Sequence, residues 1–99
     1  MSIYVYYSVT ILVTSPCPER TIKELGMKNW PIWTCDESSF DWTYEDKETC
    51  LLLEGEVTVI PEGGEPVNFG AGYLVVFPAG MDCRWDVHKA VRKHYRFGD

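Results

Sequence analysis

Short apolar and aromatic runs, separated by turn-forming residues, follow one another from residue 30 to residue 97 of this chain. Several of the runs alternate apolar and polar residues, which is the period of a β-strand and not of a helix. Clusters rich in Pro and Gly at residues 61–66 and 70–72 separate them. Residues 21–26 carry the helical signal that the pattern offers, with Gly26 as its stop. The pattern predicts an all-β chain, a sandwich or a small antiparallel barrel, with at most one or two short helical turns.

The chain length and the N-terminal residues bear on domain organisation and assembly. Ninety-nine residues suit a single domain, with residues 1–19 as an N-terminal strand and loop. Residues 3–13 are β-branched and aromatic, which predicts a long strand with two usable faces. Because an unpaired strand edge promotes association, we expect this strand to pair within the barrel or with a second subunit, giving a homodimer.

The charge of the chain limits the classes of partner that it can bind. A net charge of -6 disfavours nucleic acid and an anionic membrane, since both need a basic surface. Acidic residues dominate positions 36–65, whereas Arg92, Lys93 and Arg96 lie near the C-terminus. We interpret these as a solvated acidic face and an exposed basic last strand that includes His94. The alternative is that the two patches meet between subunits.

Cysteine content and the N-terminus bear on the cellular compartment. No Lys or Arg precedes Arg20, so the positive start of a signal peptide is missing, and residues 3–13 are too short to cross a bilayer as a helix. We therefore expect an intracellular protein, cytoplasmic by default and plastidial if it comes from a plant, with reduced thiols. Cys17, in a Pro-flanked loop, is the thiol expected to react fastest.

A candidate site follows from strand periodicity. Glu48, Cys50 and Glu54 share one face of a predicted strand, and Cys83 begins a later one. If the two strands meet inside a barrel, these side chains converge as a candidate metal site. A carboxylate with thiolates favours zinc or another soft metal over magnesium or calcium. The identity of the cofactor stays open at this point: a divalent metal (zinc, iron or manganese) or none.

Each of these residues also has a structural interpretation, and the alternatives stay open. Cys50 and Cys83 are ordinary buried side chains, metal ligands or a redox pair. Glu48 is either an inward-facing functional carboxylate or the exposed start of its strand. Glu54 precedes Gly55 in what reads as a compact hairpin connection, where it would face solvent.

Aromatic residues are dense for a chain of this size, and some must face the interior of a barrel. They would suit a flat or apolar small ligand, although most of them also fit a plain hydrophobic core. The candidate pocket residues are Trp33, Trp42, Tyr44, Phe77, Trp85 and Tyr95.

Several short motifs together resemble one branch of a known superfamily. They are Lys-Glu-Leu-Gly at 23–26, Trp-Pro-Ile-Trp at 30–33, Phe-Asp-Trp-Thr-Tyr at 40–44, Glu-Thr-Cys at 48–50, Leu-Glu-Gly at 53–55, Phe-Pro-Ala-Gly at 77–80 and Val-Arg-Lys-His-Tyr at 91–95. Over residues 20–98 they resemble the short single-domain cupins related to ureidoglycine aminohydrolase. The resemblance implies an RmlC-like jelly roll (a double-stranded β-helix), often dimeric. In that enzyme a Glu, two His and a Gln bind manganese; Glu48 matches the Glu, and Cys50, Glu54 and Cys83 occupy the other positions. Two thiols suit manganese poorly.

These observations predict a cupin that binds a small molecule in the barrel interior, with an atypical Glu/Cys site in place of the usual His ligands. One alternative is a metal-dependent enzyme acting on a small nitrogenous compound, like ureidoglycine aminohydrolase. The other is a non-catalytic structural or interaction module.

Overall fold

Two long antiparallel strands form the centre of the structure, a computed structural model that describes residues 10–98. Within these residues there are one short α-helix, one 3-10 turn and seven strands. The strands are β1 (Leu12–Thr14), β2 (Ile32–Cys35), β3 (Ser38–Thr43), β4 (Glu48–Pro61), β5 (Val67–Gly70), β6 (Leu74–Phe77) and β7 (Asp82–Phe97). The helix α1 spans Glu19–Leu25, and the 3-10 turn spans Met27–Asn29.

The long strands β4 and β7 pair with each other and each has two shorter partners on its other edge. Strand β4 pairs with β6 and then with β5, while β7 pairs with β3 and then with β2. Strand β1 extends the sheet beyond β6. All of these pairings are antiparallel, and the architecture is the small all-β jelly roll that the sequence predicts.

A series of irregularities bends β4 in its middle. The register with β7 shifts between Leu52 and Val57, which marks β-bulges. Gly55 lies there with φ 112°, and a Cβ on it would come within 2.8 Å of the Ala90 carbonyl oxygen. The predicted hairpin at residues 54–55 is therefore wrong: the turn-like Glu-Gly pair is a bulge that lets β4 continue while its backbone approaches β7.

The N-terminal prediction falls largely outside the described residues. Residues 3–9 of the predicted strand are not among them, and the described part forms β1, whose Val13 is opposite Val75 of β6. The helical prediction holds, because α1 ends at Leu25 and Gly26 caps it with φ 63°. The helix begins at Glu19, two residues earlier than predicted. Within residues 10–98 no helix is long and apolar enough to cross a membrane.

Two apolar clusters hold the strands together. The larger lies inside the barrel and includes Leu52, Val57, Val59, Val75 and Trp85. A smaller one packs the helical segment against the outer face of β4 through Cys17, Met27 and Leu51. Cys17 is therefore buried, and the prediction that it is the readily accessible thiol is wrong.

Candidate ligand-binding site

A cavity of about 180 Å³ opens between β2, β3 and β7. Seven aromatic side chains and two charged ones line it. These residues are Trp33, Phe40, Trp42, Tyr44, Glu48, Trp85, Lys93, Tyr95 and Phe97. Apolar walls with a few polar groups at fixed positions are typical of small-molecule sites.

Strand alternation places these side chains on one face. On β7 the inward positions are odd-numbered, so Trp85, Lys93 and Tyr95 share the face that lines the cavity. Strand β3 lies opposite the first part of β7, with Phe40 across from Trp85. Strand β2 lies opposite the second part, with Trp33 across from Lys93.

The aromatic rings of the wall pack on one another. Phe40 stacks on Trp85 with ring centroids 6.0 Å apart, and the edge of Trp33 meets Trp85 at 5.9 Å. Tyr44, which also lines the cavity, stacks on the buried ring of Phe77 at a centroid distance of 4.8 Å. Trp85 Nε1 donates a hydrogen bond of 3.2 Å to Tyr44 Oη. These contacts fix the rings without a ligand, so the cavity is preorganised.

A buried ion pair lies in this aromatic surrounding. Lys93 Nζ donates a hydrogen bond of 2.7 Å to Glu48 Oε2, and the two side chains are 5% and 4% exposed. The same ammonium lies 4.7 Å from the Trp85 ring centroid and 4.8 Å from that of Trp33. Cation–π attraction of this kind strengthens when water is excluded, which compensates part of the cost of burying the charge.

Three ionisable groups near the pair have raised pKa values. Burial, reinforced by Glu48, raises the pKa of Tyr44 far above its usual value. Burial also raises the pKa of the Cys50 thiol to about 12, against the opposing effect of Lys93. Burial and the neighbouring Asp82 raise the pKa of Cys83 to about 11. The phenol and both thiols are therefore protonated near neutral pH, and neither thiol is poised as a nucleophile.

The four predicted metal ligands do not assemble around one point. Glu48 is engaged by Lys93, and Cys50 is enclosed in the core. The Cys83 thiol donates a hydrogen bond of 3.5 Å to the backbone carbonyl oxygen of Trp42. Glu54 points outward, because the bulge after Leu52 reverses the alternation, and its carboxylate lies 4.0 Å from Arg92. Within residues 10–98, no three His, Cys, Asp or Glu side chains are grouped so as to hold a metal ion. The residues present therefore do not fit the metal that the cupin resemblance implies.

The predicted pocket residues are largely at the cavity. Trp33, Trp42, Tyr44, Trp85 and Tyr95 line it, whereas Phe77 is buried behind Tyr44. Sequence reasoning missed Phe40, Phe97 and Lys93.

The prediction of an exposed basic last strand is wrong for two of its members. Arg92 is exposed, but Lys93 and His94 are buried, and His94 Nδ1 lies 2.9 Å from the Trp30 carbonyl oxygen. The inward position of Lys93 could have been predicted from the sequence. Side chains alternate between the two faces of a strand, and Lys93 lies an even number of residues after the inward-facing Trp85 on β7.

Comparisons with known proteins agree with this architecture. Residues 22–95 match the family model of the EutQ-like cupin domain. A DUF861 family protein from Thermotoga maritima is similar in structure with a TM-score of 0.84 and 45% sequence identity, covering 89% of this chain and 99% of that one.

Two EutQ structures are similar at greater distance. The EutQ protein of Clostridium difficile has a TM-score of 0.62 and 25% identity, covering 68% of this chain and 52% of that one. A putative ethanolamine utilisation protein Q from Salmonella typhimurium has a TM-score of 0.61 and 30% identity, covering 68% and 54%. The match thus spans about half the length of these two proteins. No curated protein shows significant similarity to this chain. On the family match and on the barrel described above, the chain belongs to the EutQ-like cupin domain family.

Proposed function

We propose that this cupin binds a small, uncharged molecule of about the size of one ring in the aromatic cavity. The observation that carries the proposal is the cavity itself, in which seven aromatic side chains surround a neutral pair of opposite charges, Glu48 and Lys93.

The cavity volume supports a ligand of this size. Its 180 Å³ lies below the ~300–1,000 Å³ of typical ligand pockets. It is close to the ~150 Å³ of an engineered apolar cavity that accepts benzene. A ligand of roughly the size of benzene or a singly substituted ring would match this space.

The lining residues set the chemistry. Aromatic walls favour a flat body, and an ammonium carries three N–H donors, of which Glu48 accepts one. A ligand oxygen that accepts from Lys93 would be held against these rings. Because Glu48 and Lys93 already balance each other, a charged ligand would add an unpaired charge to a largely dry site. The preferred class is therefore an uncharged ring compound with a carbonyl oxygen.

Three probes of nearly equal size test this class: benzamide (neutral, with a carbonyl), benzoate (charged) and toluene (no acceptor). Ligand-observed NMR and quenching of tryptophan fluorescence would measure their binding. We expect benzamide to bind at least about tenfold more tightly than either of the others, the discrimination expected of one good hydrogen bond in a dry site.

A matched pair of variants locates the binding. Trp42 lines the cavity mouth, whereas Trp30 lies outside the cavity beneath Arg96. Trp42→Leu should weaken benzamide binding and Trp30→Leu should not. Equal affinities for the three probes, no binding of any, or equal effects of the two variants would contradict the proposal.

The metal-dependent alternative, related to ureidoglycine aminohydrolase, predicts a different result in the same preparations. It requires tightly bound manganese, zinc or iron that Glu48→Gln removes, together with turnover of a small nitrogenous compound. Protein that holds neither a metal nor any probe would instead be a structural or interaction module.

We also propose that the protein is a homodimer. The apolar side chains of Leu12 and Val13 on β1 are exposed, as a strand near a subunit contact would be. Light scattering should give twice the chain mass of 11.4 kDa, and deletion of residues 1–13 should halve that mass or unfold the protein.

A further inference from the structure

We propose that Glu48 and the surrounding rings form an ammonium-binding site, and that Lys93 of the same chain is its resident cation. This inference is independent of the ligand proposed above. It concerns which cation the Glu48 carboxylate and the surrounding rings bind.

The geometry around the Lys93 ammonium is that of a cation cage. A carboxylate oxygen lies 2.7 Å from Nζ on one side, and the rings of Trp33, Trp85 and Phe77 lie at 4.8, 4.7 and 5.8 Å. A carboxylate combined with aromatic faces is how proteins recognise ammonium groups. Lys93 occupies this cage from β7, while Glu48 enters it from β4.

The same surroundings disfavour a divalent metal ion. Zinc takes about four nitrogen, sulfur or oxygen ligands, and magnesium or calcium takes six or more oxygens. Aromatic faces offer no such lone pairs. Within the described residues, the thiol of Cys50 is enclosed in the apolar core and the carboxylate of Glu54 lies outside the cavity. Glu48 therefore stands without the further ligands that a metal ion requires.

A consequence follows for a chain that lacks the Lys93 amine. Replacing Lys93 by Ala leaves Glu48 buried and unpaired, and it empties a space about as long as a propylammonium group beside the rings. A small alkylammonium ion from solution should enter that space and restore the pair, since both its positive charge and its apolar tail match what was removed.

Chemical rescue of Lys93→Ala is the test, with thermal unfolding as the readout and propylammonium as the probe. We expect Lys93→Ala to lower Tm by more than about 10 °C, because one partner of a buried pair is lost from a domain of this size. Propylammonium should recover at least half of that loss. 1-Propanol, which has the same shape without the charge, should not.

Two controls assign the effect to the cage. Propylammonium should leave wild-type Tm unchanged, because Lys93 already fills the site. It should also leave Glu48→Gln/Lys93→Ala unchanged, because the carboxylate is missing. Rescue of Lys93→Ala by zinc or manganese chloride but not by propylammonium would overturn the proposal, and so would equal rescue by 1-propanol or no rescue at all.

A measurement on wild-type protein keeps the proposal falsifiable if Lys93→Ala does not fold. Protein purified without an affinity tag is incubated with manganese or zinc, desalted and analysed for metal by mass spectrometry. Glu48→Gln, or Glu48→Met if that variant is unstable, serves as the reference. We expect no metal that depends on Glu48. Stoichiometric metal in the wild-type protein that the Glu48 variant loses would contradict Lys93 as the resident cation.

Discussion

Two of the ion pairs that join β4 to β7 have opposite environments. Glu48 and Lys93 meet on the inner face of β4 and β7, at 2.7 Å and almost completely buried. Glu54 and Arg92 meet on the outer face at 4.0 Å, with 67% and 47% of their side chains exposed. The residue types in the two pairs are nearly the same. The two pairs differ in exposure because they lie on opposite faces of the same strands.

The bulge in β4 creates that difference. Without it, the alternation that directs Glu48, Cys50 and Leu52 inward would direct Glu54 inward as well. The register shifts between Leu52 and Val57 place Glu54 on the outer face and return Val57 to the core. The comparison of the two pairs therefore tests both the cavity and the bend that shapes it.

The largest expected effect comes from removing one charge of each pair. Glu48→Gln should lower the free energy of unfolding by about 3–5 kcal/mol, since it leaves the Lys93 ammonium buried without a counter-charge. Glu54→Gln, the matched change on the outer face, should cost less than about 1 kcal/mol. Urea unfolding of both variants measures the two values. If the two variants lost equal free energies of unfolding, the Glu48–Lys93 pair would not be shielded from water as the structure shows.

A smaller effect is expected at the bulge. Gly55→Ala should destabilise the chain by about 3 kcal/mol, because its Cβ meets the backbone of Ala90 and Val91 at a φ of 112°. Gly63→Ala is the control, since Gly63 also has positive φ (72°) but has open space around its Cβ position. The control should cost only about 1–2 kcal/mol. A loss at Gly55 no larger than that at Gly63 would argue against the close approach of β4 and β7.

The smallest perturbation is thiol labelling, which changes no residue. Iodoacetamide at neutral pH should label Cys35 first, because it is half-buried while the other three thiols are buried. Cys50 should be the slowest, since burial raises its pKa to about 12 and leaves little thiolate. Mass spectrometry of peptides after timed quenching gives the order. Early labelling of Cys50 would show that solvent reaches the inner face.

Much of the fold could be predicted from local patterns in the sequence. Alternation and turn residues predict the strands, and Gly26 predicts the helix end, because these signals depend on neighbours along the chain. The continuity of β4 could not be predicted in this way. Glu54-Gly55 has the composition of a turn, and it becomes a bulge because the backbone of β7 packs against Gly55.

The site was less predictable than the fold, for a similar reason. The aromatic lining of the cavity could be predicted from the alternation of side chains along the strands. The burial of Lys93 could not, because it depends on a carboxylate 45 residues away in the sequence. With basic residues at 92 and 96 beside it, the composition of the segment indicates solvent exposure. Cys17 shows the same limitation, since Met27 and Leu51 cover it from elsewhere in the chain.

A pair of double-mutant cycles tests most directly the central claim that the inner pair is a desolvated unit of the site. One cycle combines Glu48→Gln with Lys93→Met, and the other combines Glu54→Gln with Arg92→Met. We expect a coupling free energy of at least about 2 kcal/mol for the inner pair and at most about 0.5 kcal/mol for the outer pair. Additive effects at Glu48 and Lys93, or equal couplings on the two faces, would contradict the account.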